Sequence, residues 1–188
     1  MNFLKLFLNR KSVHAPDNFS LWIQALDFAQ KAHEGQTIPG SDTPYIAHPM
    51  AVAAILKPCI NPQNIALLIP VALLHDTIED TGTTYVDILS VFGEAVANGV
   101  MALTKQPSLA KELRMADSLQ RIQAQPRAVW MVKLADRIVN MQKPPHFWKE
   151  KKILAYKEEA KVILQELRSA DEYLARILED KIREYPHG

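Results

Sequence analysis

Cysteine is nearly absent from this chain: Cys59 is the single one in 188 residues. An intramolecular disulfide is therefore excluded, and so is any Cys-rich zinc motif. Net charge is scarce as well. Lys and Arg number 22 against 21 Asp and Glu, a balance of +1, whereas a dedicated nucleic-acid binder is usually clearly basic. No apolar run approaches the ~20 residues that a membrane-spanning helix needs. Glycine is sparse, at 6 residues, and no stretch alternates with period two long enough to suggest a sheet. There is no internal repeat and no low-complexity segment. What is present is ordinary globular material, 48% hydrophobic and 23% charged, enough to bury a core. The length suits one domain.

The chain reads as all-α, a helical bundle of about eight to ten helices. Residues 1–188 are taken as a single domain, with an N-terminal extension over 1–16 and a helical core over 17–185. Phe3, Leu4, Phe7 and Leu8 share one helical face within MNFLKLFLNR. That segment has no basic n-region and no cleavage site, so it reads as a short amphipathic piece packing on the domain or a neighbour, in a cytoplasmic protein. Phe19, Trp22, Leu26, Ala29 and His33 set the first long helix, and a Gly-, Pro- and Ser-rich loop follows over 35–44. Pro49 suits the first turn of the next helix. Asn61 and Pro62 read as cap and first residue of a helix that Pro70 should kink. Further helices are expected over 83–92, closed by Gly93, over 94–104, over 113–122, and from Pro126 to the stop at Pro144–Pro145. A final pair fills 150–185, broken where Ser169 and Glu172 match a capping box.

Ionisable residues in apolar surroundings carry the chemical signal. His75-Asp76 follows the run IALLIPVALL, where burying two such groups is costly unless something compensates. Asp136 lies on the apolar stripe of its own helix, between Val132 and Val139, and His48 opens a helix of small apolar residues. Each alone reads as a satisfied core or capping residue. Together, two imidazoles and two carboxylates suit Mn²⁺, Fe²⁺ or Zn²⁺ better than Ca²⁺ or Mg²⁺. Glu79 and Asp80 follow within a turn, and three crowded acids need a compensating cation. They read either as a loop in which Asp80 caps a helix or as a pair that orients and deprotonates an attacking water. His33 reads as a supporting or structural histidine rather than a ligand. His14, His146 and His187 have no supporting context. Trp22, Trp130 and Trp148 read as core or helix-seam residues rather than a base-stacking platform, Trp148 the least firmly. Charge divides unevenly, with a net of −4 over residues 1–104 and +5 over 105–188. That is either a solvated basic helix face or a basic wall facing an anionic substrate beside an acidic, metal-holding wall.

Five segments occur in order: AHEGQ (32–36), PYIAHPMAVA (44–53), ALLHDTIEDT (72–81), FGEAVANGV (92–100) and KLADRIVNM (133–141). They resemble the HD hydrolase domain of RelA/SpoT proteins, over about four fifths of the chain. The short length is similar to that of the stand-alone small alarmone hydrolases, including their metazoan members. The resemblance implies Mn²⁺-dependent removal of the 3′-pyrophosphate from guanosine tetra- and pentaphosphate. It implies metal ligation by His48, His75, Asp76 and Asp136, and activation of water by Glu79 and Asp80. It also implies that Asn140 helps hold the nucleotide and that Tyr156 packs on it. Lys152 would lie beside the substrate, and Lys143 and Lys152 would neutralise the outer phosphates.

One departure stands out. The family usually carries basic residues just after GQ, where they contact base and phosphates. Here the loop reads GQTIPGSDTPYI, with no Arg or Lys from Thr37 to Thr43. The base is therefore left open between guanosine and adenosine alarmones, a nicotinamide dinucleotide phosphate such as NADPH, and another nucleotide phosphate. Two rival readings stand beside the alarmone hydrolase. One is an HD phosphatase acting on ordinary nucleotides, such as nucleoside monophosphates. The other is a non-catalytic nucleotide sensor. Helix-rich domains of this size often pair, so a homodimer is expected.

Overall fold

Apolar residues recurring three and four apart draw a chain into helices that bury one stripe. The computed structural model describes residues 18–186; the amphipathic segment 1–10, the 16/17 boundary, His14 and His187 lie outside them. Among the described residues there are ten α-helices: α1 (Asn18–Ala32), α2 (Ala47–Leu56), α3 (Ile65–Leu74), α4 (Thr77–Asp80), α5 (Tyr85–Phe92), α6 (Glu94–Leu103), α7 (Arg114–Gln123), α8 (Arg127–Asn140), α9 (Glu150–Leu167) and α10 (Glu172–Glu184). No strand forms among them; the one extended pairing is an isolated antiparallel bridge between Thr37 and Pro44. The all-α expectation is met. No helix of the described residues is long and apolar enough to cross a membrane.

α3 and α8 form the interior. α3 is apolar on every side, and Leu68 through Leu74 are all buried, as a helix with no polar face must be. It packs against α1, α2, α6 and α8. α8 buries residues on nearly its whole circumference from Ala128 to Ile138 and touches α2, α3, α6, α7, α9 and α10. Gly99 lets α6 approach both: a Cβ built there would stand 3.0 Å from Val71 Cγ2 and 3.1 Å from Val129 Cγ2.

Helix ends depart from expectation at three places, the first being α8, which ends at Asn140 ahead of the expected stop at Pro144–Pro145. Asn61 does not cap α3. Its Oδ1 accepts from the N–H groups of Gln63 and Asn64, at 3.0 and 3.1 Å, forming a turn that delays the helix to Ile65. Pro70 lies inside α3 without ending it. The last helix is capped by Asp171, whose Oδ1 accepts from Leu174 N–H at 3.0 Å. Ser169 lies instead in a 3₁₀ turn over Arg168–Ala170. With Asp171 extended, Glu172 is the first residue of α10 rather than the third, so the Ser169–Glu172 box cannot close. The stop at Gly93 is as expected, with φ at 81°.

Candidate active site

α2, the end of α3, α4 and α8 bring four donor side chains to one point. His75 caps the C-terminal end of α3, and its Nδ1 donates to the carbonyl of Ala72 at 2.8 Å. That bond fixes the ring's orientation and leaves Nε2 facing inward. His48, in the first turn of α2, brings its own Nε2 to within 3.2 Å of His75 Nε2. Asp76 Oδ2 lies 3.4 Å from His48 Nε2 and 3.1 Å from His75 Nε2. Asp136 Oδ1 lies 3.4 and 3.7 Å from the same two nitrogens.

Carboxylates this close dominate the electrostatics. Burial disfavours an imidazolium at His75, but the charges of Asp76 and Asp136 outweigh it and push the pKa well above the ordinary value. His48 is raised by the same contest. Burial likewise opposes the charged forms of Asp76 and Asp136, yet both are held below the carboxylate range. His75 is the main opposing charge at Asp76, and Lys133 at Asp136. The cluster therefore holds positive charge firmly. The donor set fits a divalent ion: ligands bonded at about 2.0–2.2 Å to one centre sit roughly 3.0–3.5 Å from their neighbours. His48, His75 and Asp76 each offer one atom, all within 4.8 Å of one another.

A ring of further contacts aims these groups. The Tyr45 hydroxyl donates to Asp76 Oδ2 at 2.6 Å and lies 3.4 Å from Asp80 Oδ2. Lys133 Nζ donates to Asp136 Oδ2 at 2.9 Å, and Asn140 donates its amide to Asp136 Oδ1. Asp80 is held from behind: Gln36 Nε2 donates to its carbonyl at 2.9 Å, and His33 Nδ1 meets Gln36 Oε1 at 2.8 Å. Burial, then the charges of Asp76 and Glu79, raise the pKa of Asp80. Glu79 has a different neighbour. Lys105 donates its backbone N–H to Glu79 Oε2 at 2.8 Å and its Nζ to Oε1 at 3.2 Å.

Two hollows adjoin the cluster. A polar chamber of about 200 Å³ is lined by Asp76, Glu79, Asp80, Lys105, Arg137 and Glu159, among others. A larger groove of about 520 Å³ starts at His48, Asp80 and Asn140 and runs between the 37–44 loop and the 141–148 segment.

The chain belongs to the HD-domain family. The family model for the HD domain matches residues 25–173. The zebrafish (Danio rerio) guanosine-3′,5′-bis(diphosphate) 3′-pyrophosphohydrolase MESH1 is 33% identical over 154 residues, covering 79% of this chain and 85% of its own. The human protein of the same name is 32% identical over 161 residues, covering 83% and 89%. The bifunctional (p)ppGpp synthase/hydrolase SpoT of Escherichia coli is 41% identical over 125 residues, which are 63% of this chain and 17% of that longer protein. A solved structure described as a metazoan orthologue of SpoT that hydrolyses ppGpp superposes with a TM-score of 0.79 at 26% identity, covering 93% of this chain and 99% of that one. Membership makes this HD domain a divalent-metal-dependent hydrolase, with His48, His75 and Asp76 as its candidate metal site.

Of the residues singled out from sequence, His48, His75, Asp76 and Asp136 converge on one point, and Glu79, Asp80, Asn140 and Tyr156 line the chamber beside it. Lys143 lines the groove. Lys152 lines neither hollow; its Nζ stacks 3.9 Å over the Trp148 ring. Trp148 is no seam residue but lines the groove, whereas Trp22 and Trp130 anchor helices through bonds to the carbonyls of Ile65 and Gln125. Sequence reasoning missed Tyr45, Lys105, Lys133 and Arg137. Lys133 stands three residues before Asp136 on α8, the spacing that puts side chains on one face, whereas Tyr45 lies in the turn before α2 and reaches Asp76 across the fold. Arg137 Cζ lies 4.2 Å over the Tyr156 ring, and its Nη2 bonds Glu159.

Proposed function

We propose that this HD domain removes the 3′-pyrophosphate from a guanosine or adenosine alarmone, using a divalent ion held by His48, His75, Asp76 and Asp136. Mn²⁺ is the ion that the N/O donor set favours, with Fe²⁺ and Zn²⁺ as alternatives. The observation that carries the reading is the four-donor cluster at the head of a groove of nucleotide size, with Asp80 beside it. The ion supplies a positive centre for a phosphoryl oxygen and acidifies water.

The chain's own residues do the rest. Asp80, with a raised pKa, accepts the proton of the attacking water, as a general base must. Glu79 holds Lys105 at the edge of the chamber, where its ammonium faces the departing pyrophosphate. Tyr45 keeps Asp76 and Asp80 apart and aimed. Asn140 orients Asp136 and meets the ribose side of the nucleotide. Tyr156, backed by Arg137, walls both hollows and keeps bulk water from the cluster. Lys143 meets the outer phosphates. Burial pushes the Tyr156 phenol up to about 12, so it stays neutral beside an anion.

The test is turnover of a panel: guanosine tetraphosphate, its adenosine analogue, NADPH and nucleoside monophosphates, with Mn²⁺, separated by ion-exchange chromatography. Pyrophosphate release from an alarmone by the wild type, lost in His75→Ala, is the expected result. Cleavage of NADPH or a monophosphate alone moves the substrate, and no cleavage of any compound sinks the reading.

A further inference from the structure

The groove that leads away from the metal cluster has an unusual division of labour. Its polar end is the chemistry already described. Beyond it, the walls are apolar: Ile38 and Pro39 on one side, Pro144, Pro145 and Trp148 on the other. The Ile38 wall is set by local hydrogen bonds. Ile38 N–H donates to Thr43 carbonyl at 2.9 Å, and Ser41 N–H to Ile38 carbonyl at 3.0 Å. Gly40 makes the reversal with φ at 80°. A Cβ built at Gly40 would lie 3.9 Å from Phe147 Cε1, so the two loops nearly meet over the mouth.

Trp148 is held at a fixed angle. Its ring meets Tyr156 edge-on, with centroids 5.3 Å apart at 72°. Lys152 covers the indole but does not line the groove. The geometry points to a purine clamp: the base of the bound nucleotide stacks on Trp148 opposite Ile38 and Pro39, and guanine and adenine are accepted alike. This assignment rests on the reading of the site as a nucleotide hydrolase.

The absence of a discriminating group argues for tolerance. A carboxylate facing the two donors on the Watson–Crick edge of guanine would select that base. Among the residues lining the groove the only carboxylate is Asp80, at the chemical end. In the 141–148 wall of the groove, Gln142 carries a carboxamide. A carboxamide presents both a donor and an acceptor and turns either way, so Gln142 pairs with either purine. Stacking itself does not tell guanine from adenine, because both present a two-ring π-face.

The test needs no turnover. Guanosine 5′-diphosphate, adenosine 5′-diphosphate and cytidine 5′-diphosphate are titrated calorimetrically into the Mn²⁺-loaded full chain. The two purine nucleotides should bind within about tenfold of each other, and the pyrimidine more weakly, having less ring to stack. Trp148→Ala should weaken both purines by about 5- to 150-fold, the equivalent of ~1–3 kcal/mol per stacked base. Trp148→Phe, which keeps an aromatic face, should restore most of the loss; metal content and melting temperature check that both variants are folded. A preference for either purine above about tenfold overturns the clamp. So does unchanged binding in Trp148→Ala, or no purine binding by the wild type. If purines bind through Trp148 but no polyphosphate is cleaved, the hydrolase reading fails and the clamp stands. If alarmones are cleaved but Trp148→Ala binds normally, the clamp alone fails.

Discussion

Tyr45 donates its hydroxyl to a carboxylate that a cation would share. Burial, reinforced by the charges of Asp76 and Asp80, pushes the phenol far above its ordinary range, so it remains a donor at every working pH. Tyr45→Phe removes that bond at little cost in shape. A partner of this kind contributes about 10- to 100-fold to metal affinity, and a Mn²⁺ titration of the variant should show a loss in that range. Burial and the charge of Asp76 raise the pKa of Asp80, and the like charge of Glu79 adds to them. The acid limb of the rate profile, set by deprotonation of Asp80, should therefore fall at higher pH than for an ordinary carboxylate. Glu79→Gln removes the repelling charge, so the limb moves to lower pH even as the rate drops through loss of Lys105; a profile of kcat against pH reads both. His48, His75, Asp76 and Asp136 were legible in the sequence because ionisable groups in apolar runs demand a reason. Lys105 was not, because its partner lies 26 residues away and meets it only through space.

Helices were legible where an apolar stripe is long, as in α1, α3 and α8. Their ends were not, because neighbouring residues compete for the same N–H groups. Asn61 chose a turn over a cap, and Asp171 outcompeted Ser169. α4 was unforeseen: four residues hold no periodicity, and the turn depends on Thr77 Oγ1 donating to the Leu74 carbonyl at 2.7 Å. Close approach between helices was also hidden. Gly99 reads as a weak point in a helix, yet it is where α6 meets α3 and α8. Gly99→Ala gains about 1 kcal/mol in helix propensity but forces two stiff valines aside, an overpacking cost of about 1–3 kcal/mol. Urea denaturation should show a net loss of about 1 kcal/mol.

Across the molecule, the acidic first part and the basic second part do meet, but not as two bare walls. Lys105 bonds Glu79 across the divide, while Lys133 bonds Asp136 and Arg137 bonds Glu159 within the basic part itself. Much of the basic charge at the site thus orders carboxylates rather than waiting for phosphate, which composition alone could not reveal. The buried donor cluster ties metal to folding. An ion at about 100 times its Kd adds about 2.7 kcal/mol to the folded state, or roughly 5–10 °C in melting temperature for a chain of this size. A chelator should lower the melting temperature by that amount and abolish turnover, and added Mn²⁺ should restore both.

The donor cluster is built on helices, whereas the far walls of the groove come from two connecting segments, 37–44 and 141–148. Apart from Met141, which is buried in the core, mutations in those segments are free to accumulate without disturbing an α3–α8 interior that the whole fold depends on. A lineage could therefore trade one nucleotide for another by redrafting a dozen or so loop positions. The helix-borne donor cluster would pass to each descendant as an heirloom, and divergence in this family would be written at the mouth before it is written at the metal.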